Sequence, residues 1–137
     1  MKIIGVDLGD VRTGLAISDE NAYLARGVGT VRPNGIHALM DEIAKLAEDE
    51  GAQEIVVGNP INMNGTRGER SEKAERFAEM LRERTGLCVT LFDERCTTMA
   101  AHNYLSATDT HGKKRKAVID TLSAQIILQN FLDSRKK

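Results

Sequence analysis

The sequence predicts an α/β protein in which a mixed five-stranded sheet is covered by helices. Short apolar runs typical of strands open the chain, a helical period begins near residue 36, and strands and helices then alternate. The 137 residues suffice for one domain with a buried core, which we expect to span 1–137. No apolar run reaches the about 18 residues of a membrane span. With 41% hydrophobic and 28% charged residues, we expect a globular cytoplasmic protein without a membrane partner.

The first part of the chain has the pattern of three strands joined by short links. Ile3–Leu8 is a short apolar run, the segment over 10–14 has the composition of a turn, and the run over 15–18 resumes as a strand. The segment over 23–31, rich in glycine and β-branched residues, predicts a third strand. Because links this short cannot make parallel crossovers, the three strands are predicted to form an antiparallel meander.

The rest of the chain alternates between helical and strand patterns that end at glycines or turns. The predicted elements are a helix over 36–47 ending near Gly51, a strand over 54–57, a helix over 74–81 ending near Gly86, and a strand over 88–92. A short helix capped by Thr97 or Thr98 is expected to run to about Ser106. A polar, basic loop then precedes a final helix from about Lys116 to Asp133. The predicted order is βββαβαβα.

Three acidic residues occupy positions that need a chemical explanation. Asp7 lies within the apolar run IIGVDLG, Glu94 lies just past the fifth strand, and Asp120 lies in the last helix. At about 100° per residue, four apolar residues lie within about 60° of Asp120 around that helix, so the acid is on an apolar face. An ionised carboxylate in such surroundings is costly unless a cation or hydrogen bonds compensate for it.

A divalent cation would explain all three placements. Converging carboxylates repel one another and take up protons, whereas Mg²⁺ and Mn²⁺ prefer oxygen ligands. Two such ions about 4 Å apart can orient a water and stabilise the leaving oxygen of a phosphodiester. Each acid also has a simpler interpretation. Asp7 could be a turn or hydrogen-bonding residue, Glu94 could pair with Arg95, and Asp120 could pair with Lys116.

Two polar segments are suited to a polyanionic substrate. The stretch THGKKRKAV brings a basic cluster directly before the helix of Asp120, and binding to such a cluster weakens with salt. The stretch INMNGTRGERSEK follows a strand end, where α/β folds commonly have ligand loops. The alternative for the first stretch is a run of charges that is merely solvated. The alternative for the second is that its glycines serve only the turn. With 4% aromatic residues and a net charge of −1, recognition is expected to be local and to use backbone and shape more than base stacking.

Four motifs, in order, resemble the YqgF/RuvX family over essentially the whole chain: GVDLGDVRTGLA, VVGNPINMNGT, FDERCTTMAA and KAVIDTLSAQIILQNFLD. Members of this family have an RNase H-like fold. They are labelled as Holliday junction resolvases or as nucleases that process the 5′ end of pre-16S ribosomal RNA. Matched by position, the resemblance implies that Asp7, Glu94 and Asp120 are metal-binding, catalytic acids. It also makes Asp93 a weaker neighbour of the site and Arg12 a phosphate contact.

The resemblance further implies Mg²⁺ or Mn²⁺ as cofactor and a nucleic-acid substrate. The substrate is either pre-rRNA, with ribosomal precursor particles as partners, or branched DNA. Junction resolution needs two coordinated cuts and hence a symmetric dimer. Because no dimer interface is evident in the sequence, we expect a monomer or a weak homodimer and favour the rRNA role. The residues expected to contact nucleic acid are Arg12, Asn62, Arg67, Arg95, Lys113, Lys114, Arg115 and Lys116.

Two other function classes stay open. The opening D-L-G-x-x-x-T-G also resembles the phosphate loop of sugar kinases, actin and heat-shock ATPases, which share this fold. Those proteins clamp ATP between two such domains, and 137 residues supply one. The other class is a non-catalytic module that binds nucleic acid, and metal-dependent turnover would distinguish it from an enzyme.

Overall fold

The structure, a computed structural model, describes residues 1–9, 12–32, 34–59, 68–93 and 112–135, without the side chains of 69, 70, 93, 112–118 and 120. The strands are β1 (Ile3–Leu8), β2 (Thr13–Ser18), β3 (Ala25–Val31), β4 (Glu54–Asn59) and β5 (Cys88–Asp93). The helices are α1 (Ile36–Glu50), α2 (Glu69–Thr85) and α3 (Gly112–Arg135). This order confirms the predicted βββαβαβα. The short helix predicted from Thr97 or Thr98 lies outside the described residues.

The five strands form one mixed sheet in the order β3-β2-β1-β4-β5. β1, β2 and β3 pair antiparallel, which confirms the predicted meander. β1 pairs parallel with β4, and β4 pairs parallel with β5. The carboxyl ends of β1, β4 and β5 therefore meet at one end of the sheet, which we call the carboxyl edge.

Both faces of the sheet are covered. On β1, Ile4 and Val6 belong to a core formed with α1 and α2, whereas Ile3 belongs to a second core formed with α3. This division follows the period of two in a strand, since successive side chains point to opposite faces. A strand buried on both faces carries a near-continuous apolar run, and the residues over 55–57 at the centre of β4 (IVV) show that pattern.

Glycines end the first two helices, as their sequence pattern predicts. Gly51 has φ 69° and Gly86 has φ 70°, both in the left-handed region that glycine adopts without a steric penalty. The Gly86 amide donates to the Arg82 carbonyl at 2.8 Å. In the described part of the chain, no helix combines the length and the apolar character that crossing a membrane requires.

The start of α3 differs from the prediction. The helix begins at Gly112, four residues before Lys116, so the basic cluster over 113–116 is helical. The prediction of a basic loop at 113–115 was wrong. Lysine and arginine are good helix formers, and Gly112 is the nearest preceding residue with a low helix propensity. The helical pattern therefore continues back to that glycine.

A partly buried ion pair fixes the C-terminal end of α3 on β4. The Arg135 guanidinium donates to both carboxylate oxygens of Glu54, at 2.9 and 2.6 Å. It also lies 4.2 Å from the centre of the Phe131 ring. The Glu54 side chain is 7% exposed and the Arg135 side chain is 45% exposed. This pair joins α3 to the end of the sheet opposite the carboxyl edge.

Glu54→Gln is expected to lower the free energy of unfolding by about 1–2 kcal/mol, because it removes the buried charge that Arg135 holds in two hydrogen bonds. Urea denaturation measures the change. The ion pair between Arg84 and Asp41 is the control, since those side chains are 50% and 64% exposed. Asp41→Asn should change stability by less than about 0.5 kcal/mol. Equal effects from the two substitutions would contradict a structural role for the Glu54 pair.

Candidate active site at the carboxyl edge

Asp7 lies on the face of the sheet that α3 covers. It is the fifth of the six residues of β1, pairs with Gly14 of β2, and is half-buried. Because alternate residues of a strand share a face, Asp7 is on the same side as Gly5 and Ile3, and Ile3 packs against α3. The acid that stands out in the sequence therefore faces an apolar layer.

Helix α3 runs antiparallel to β1. On β3, the Ala25 amide donates to the Gln129 side chain at 2.9 Å, and the hydroxyls of Thr30 and Thr121 are 2.7 Å apart. Residue numbers along α3 therefore fall as those along β3 rise. Since β3 and β1 are both antiparallel to β2, they run in the same direction. The N-terminal half of α3 consequently lies at the carboxyl edge.

The closest approach of β1 and α3 is at Gly5. A Cβ atom there would lie 2.8 Å from Leu128 Cβ and 3.1 Å from the Ala124 carbonyl oxygen. From this crossing, Asp7 is about 7 Å further along β1. Asp120 is one helical turn, about 6 Å, along α3 in the same direction. The backbone thus brings the positions of the two acids together at the carboxyl edge.

The surroundings of the Asp120 position agree with the sequence. Ala124, Ile127 and Phe131, which share its stripe of the helix, are buried against the sheet. The side chain of Asp120 is outside the description. The predicted apolar face of this helix is therefore present, and the acid has a position on it.

The third predicted acid follows the end of β5. Val57 of β4 pairs with Val6 of β1 and with Leu91 of β5, so the three parallel strands end at a similar height. Phe92 reaches α3, where its ring packs at 85° against that of Phe131 with centroids 5.7 Å apart. β5 ends at Asp93, and Glu94, the next residue, lies outside the described residues.

A three-acid metal site thus stays a prediction. Among the side chains that the structure describes, no three acidic, histidine or cysteine residues come close enough together to hold a metal ion. Asp7 is the one of the three predicted acids that belongs to this set.

A basic residue, Arg12, lies at the carboxyl edge directly before β2. A Cβ atom on Gly9 would clash with the Arg12 carbonyl oxygen, so a glycine is required there. β2 begins at Thr13, two residues earlier than predicted. Arg12 itself is half-buried.

The other predicted nucleic-acid contacts divide into two groups. The backbone of residues 113–116 forms the first turns of α3, at the carboxyl edge. Asn62, Arg67 and Arg95 lie outside the described residues. The fold therefore brings the basic cluster and Arg12 to the end of the sheet where the positions of Asp7 and Asp120 meet.

Two polar residues near this edge, Ser71 and Ser123, were not identified from the sequence. The Ser71 hydroxyl donates to the Asn59 side chain at 2.6 Å and ties the first turns of α2 to the end of β4. No local signal announces that pairing. Ser123 is buried on α3 and has no hydrogen-bond partner among the described residues. Its spacing of three residues from Asp120 was a signal that the sequence did contain.

Comparisons with known proteins agree along the whole chain. The family model described as "RuvX: Holliday junction resolvase" matches residues 1–134. A Bacillus cereus (strain G9842) protein named "Putative pre-16S rRNA nuclease" is 46% identical over 137 residues, covering 98% of this chain and 100% of its own length. A Bacillus cytotoxicus protein of the same name is 44% identical over the same shares of both chains.

Solved structures of similar fold include two proteins in complex with Holliday junction DNA. RuvC of Thermus thermophilus, in complex with a Holliday junction substrate, has a TM-score of 0.61 at 14% identity and covers 98% of this chain and 96% of its own. The Fowlpox virus resolvase, in complex with Holliday junction DNA, has a TM-score of 0.57 at 11% identity over 100% of both chains. These likenesses confirm the RNase H-like fold. With the family model and two full-length relatives in agreement, the chain belongs to the RuvX family, as its four motifs predict.

Proposed function

We propose that this protein is a metal-dependent nuclease that hydrolyses phosphodiester bonds of structured nucleic acid. Asp7, Glu94 and Asp120 are its catalytic acids and the ligands of Mg²⁺ or Mn²⁺. The observation that supports the proposal is the close approach of β1 and α3 at Gly5, from which the backbone positions of Asp7 and Asp120 lie in the same direction, towards the carboxyl edge. The names of the full-length relatives and of the family favour cleavage of nucleic acid over binding alone.

The donor set fits a hard divalent cation. Carboxylate oxygens are the ligands that Mg²⁺ and Mn²⁺ prefer. Asp7 faces a largely apolar layer beside the Asp120 position, where two carboxylates without a cation would repel each other. A divalent ion supplies an activated water and positive charge for the leaving oxygen. Glu94, the residue directly after β5, would complete this set of three carboxylate ligands.

The protein's own basic groups would bind and orient the substrate. Arg12 and the backbone of residues 113–116 lie at the carboxyl edge, as do the backbone positions of Asp7 and Asp120. Backbone phosphates bound there would lie across the acid site in a fixed orientation, and such contacts set register without reading sequence. Asn62, Arg67 and Arg95 are proposed to extend this surface.

The proposed substrate is the 5′ end of pre-16S rRNA in ribosome biogenesis, with ribosomal precursor particles as partners. The full-length relatives at 46 and 44% identity are named as nucleases of pre-16S rRNA, which supports this substrate class. The alternative is a Holliday junction. It is favoured by the description of the family and would require a symmetric dimer. We propose a monomer or weak homodimer for the rRNA reaction.

One assay tests the proposal and chooses between these substrates. A precursor 16S 5′ leader RNA and a four-way DNA junction are incubated with the protein in Mn²⁺, Mg²⁺ or EDTA. Metal-dependent cutting of the RNA alone supports the rRNA role. Cutting of the junction alone supports the resolvase, whose oligomeric state should then be dimeric. Binding of either substrate without turnover in any metal would favour a non-catalytic module.

The basic cluster is expected to set the salt dependence of binding. The double substitution Lys113→Ala/Lys114→Ala should reduce the slope of log K against log[salt] by about 1.5, because two phosphate contacts are lost. Fluorescence anisotropy of labelled RNA at several salt concentrations measures the slope. Lys45→Ala/Lys73→Ala is the matched control, since both lysines are exposed on α1 and α2. An equal slope change in the control would contradict a specific role for the cluster.

A further inference from the structure

Ser123 differs from the other buried serines whose side chains the structure describes. It is 1% exposed and its hydroxyl has no hydrogen-bond partner within the described residues. Ser71, which is 0% exposed, donates to Asn59 at 2.6 Å. Ser18, which is 2% exposed, accepts from the Ile3 amide at 2.8 Å. A buried hydroxyl that loses water without gaining a partner destabilises the fold, so Ser123 requires an explanation.

The position of Ser123 connects it with the acid site. It follows Asp120 by three residues, which is about 60° around the helix and about 4.5 Å along its axis. One flank of α3 contacts β3 through Thr121. Ser123 lies on the opposite flank, on the side where Phe131 packs against Phe92 of β5. The hydroxyl is therefore next to the Asp120 position, on the side towards β5.

Serine has no structural advantage at this position. Alanine is the best helix former and carries no group that must be satisfied. A helical serine can also bond to the carbonyl one turn earlier, and the Ser123 hydroxyl makes no such bond. Local features that reduce stability are expected at functional sites. A bound group there can supply the missing hydrogen bond.

We infer that Ser123 is a positioning residue of the metal site, whose hydroxyl hydrogen-bonds a water in the hydration shell of the divalent ion. The inference rests on the proposed function. Mg²⁺ and similar ions keep several waters when proteins bind them, and buried waters pair with polar groups that otherwise lack partners. The hydroxyl would orient one such water beside Asp120 without itself binding the metal.

The test uses stability and metal affinity together, because they should change in opposite directions. In EDTA, Ser123→Ala should raise Tm by about 3 °C, since an unsatisfied buried group is removed. It should weaken Mn²⁺ binding about tenfold, the lower end of what loss of an outer-shell partner causes. Electron paramagnetic resonance of free Mn²⁺ measures the affinity without any substrate. Ser123→Thr keeps the hydroxyl and should keep Kd within about twofold.

Ser71→Ala is the matched control, because it removes a buried helical hydroxyl that has a partner. It should lower Tm by about 3 °C. If Ser123→Ala lowers Tm as well, or leaves the Mn²⁺ affinity unchanged while Asp7→Asn abolishes it, the inference is wrong and the proposed function stands. If the wild-type protein binds no Mn²⁺, the metal dependence in the proposed function fails, and the inference fails with it.

Discussion

Asp7→Asn is expected to reduce metal-dependent cleavage by about 10³-fold or more, the scale on which removal of a charge-stabilising group at a reacting centre acts. Asparagine has nearly the same size as aspartate, so the packing of β1 against α3 is retained. It is neutral, however, and offers a single weaker oxygen to a cation. The rate of RNA cleavage in Mn²⁺, measured under single-turnover conditions, gives the ratio.

Thermal stability provides a second readout that does not depend on the substrate. Binding to the folded state alone stabilises a protein by about 2.7 kcal/mol when the ligand is at about 100 times Kd. For a domain of this size that corresponds to a rise in Tm of about 8 °C. The wild-type protein should show this rise with Mn²⁺, and Asp7→Asn should show almost none. In EDTA the two proteins should differ by less than about 1 kcal/mol.

The control is Asp41→Asn, which removes the same charge from an exposed site on α1. It should retain both the cleavage rate and the response of Tm to Mn²⁺. If Asp7→Asn behaves like this control, Asp7 is a turn or hydrogen-bonding residue, as the simpler interpretation of its strand holds. If the variant loses activity but keeps the Mn²⁺ response, Asp7 acts on the substrate and another group holds the metal.

Much of the fold could be predicted because its signals are local. The helix ends at Gly51 and Gly86 follow from glycine's access to positive φ. The meander follows from links too short for a crossover. The start of α3 was predicted wrongly because a run of lysines and arginines is compatible with both a solvated loop and a helix. Charge alone does not distinguish the two.

The site was harder to predict because it depends on contacts between distant parts of the chain. The apolar setting of Asp7 and of Asp120 is visible in the sequence. The positions of these residues relative to each other depend on α3 crossing β1 at Gly5 and running antiparallel to it, which no local pattern specifies. The pair that fixes the other end of α3, Glu54 and Arg135, is separated by 81 residues. For the same reason, only the folded chain shows that the Ser123 hydroxyl has no hydrogen-bond partner among the described residues.

Gly5→Ala is expected to lower the free energy of unfolding by about 2–3 kcal/mol, in the upper part of the range for overpacked cores. The new Cβ would lie 2.8 Å from Leu128 Cβ and 3.1 Å from the Ala124 carbonyl oxygen. Neither atom can rotate away, because one is the first atom of its side chain and the other belongs to the backbone. Helix α3 must therefore move off β1. Urea denaturation and the associated fall in Tm of about 8 °C measure the cost.

Gly27→Ala is the matched control on β3. Its Cβ would lie 2.6 Å from Thr121 Cγ2, which is a terminal methyl group. Adding Thr121→Ser removes that methyl and keeps the hydroxyl that meets Thr30 at 2.7 Å. The double variant should therefore regain most of the stability that Gly27→Ala loses. No single substitution at Leu128 can rescue Gly5→Ala in this way, since every residue except glycine has a Cβ.

The crossing at Gly5 also fixes the backbone position of Asp120 relative to β1, so under the proposed function Gly5→Ala should impair metal binding even where the variant is folded. At a temperature well below its Tm, the Mn²⁺ affinity of this variant should fall about tenfold. Loss of residues that orient a metal ligand has effects of this size. Gly27→Ala/Thr121→Ser should keep the wild-type affinity, because it leaves the approach of α3 to β1 unchanged. Full stability with full Mn²⁺ affinity in Gly5→Ala would mean that α3 can shift without disturbing the acids. The crossing at Gly5 would then no longer support the proposed acid site, and the support would have to come from the residues that follow β5.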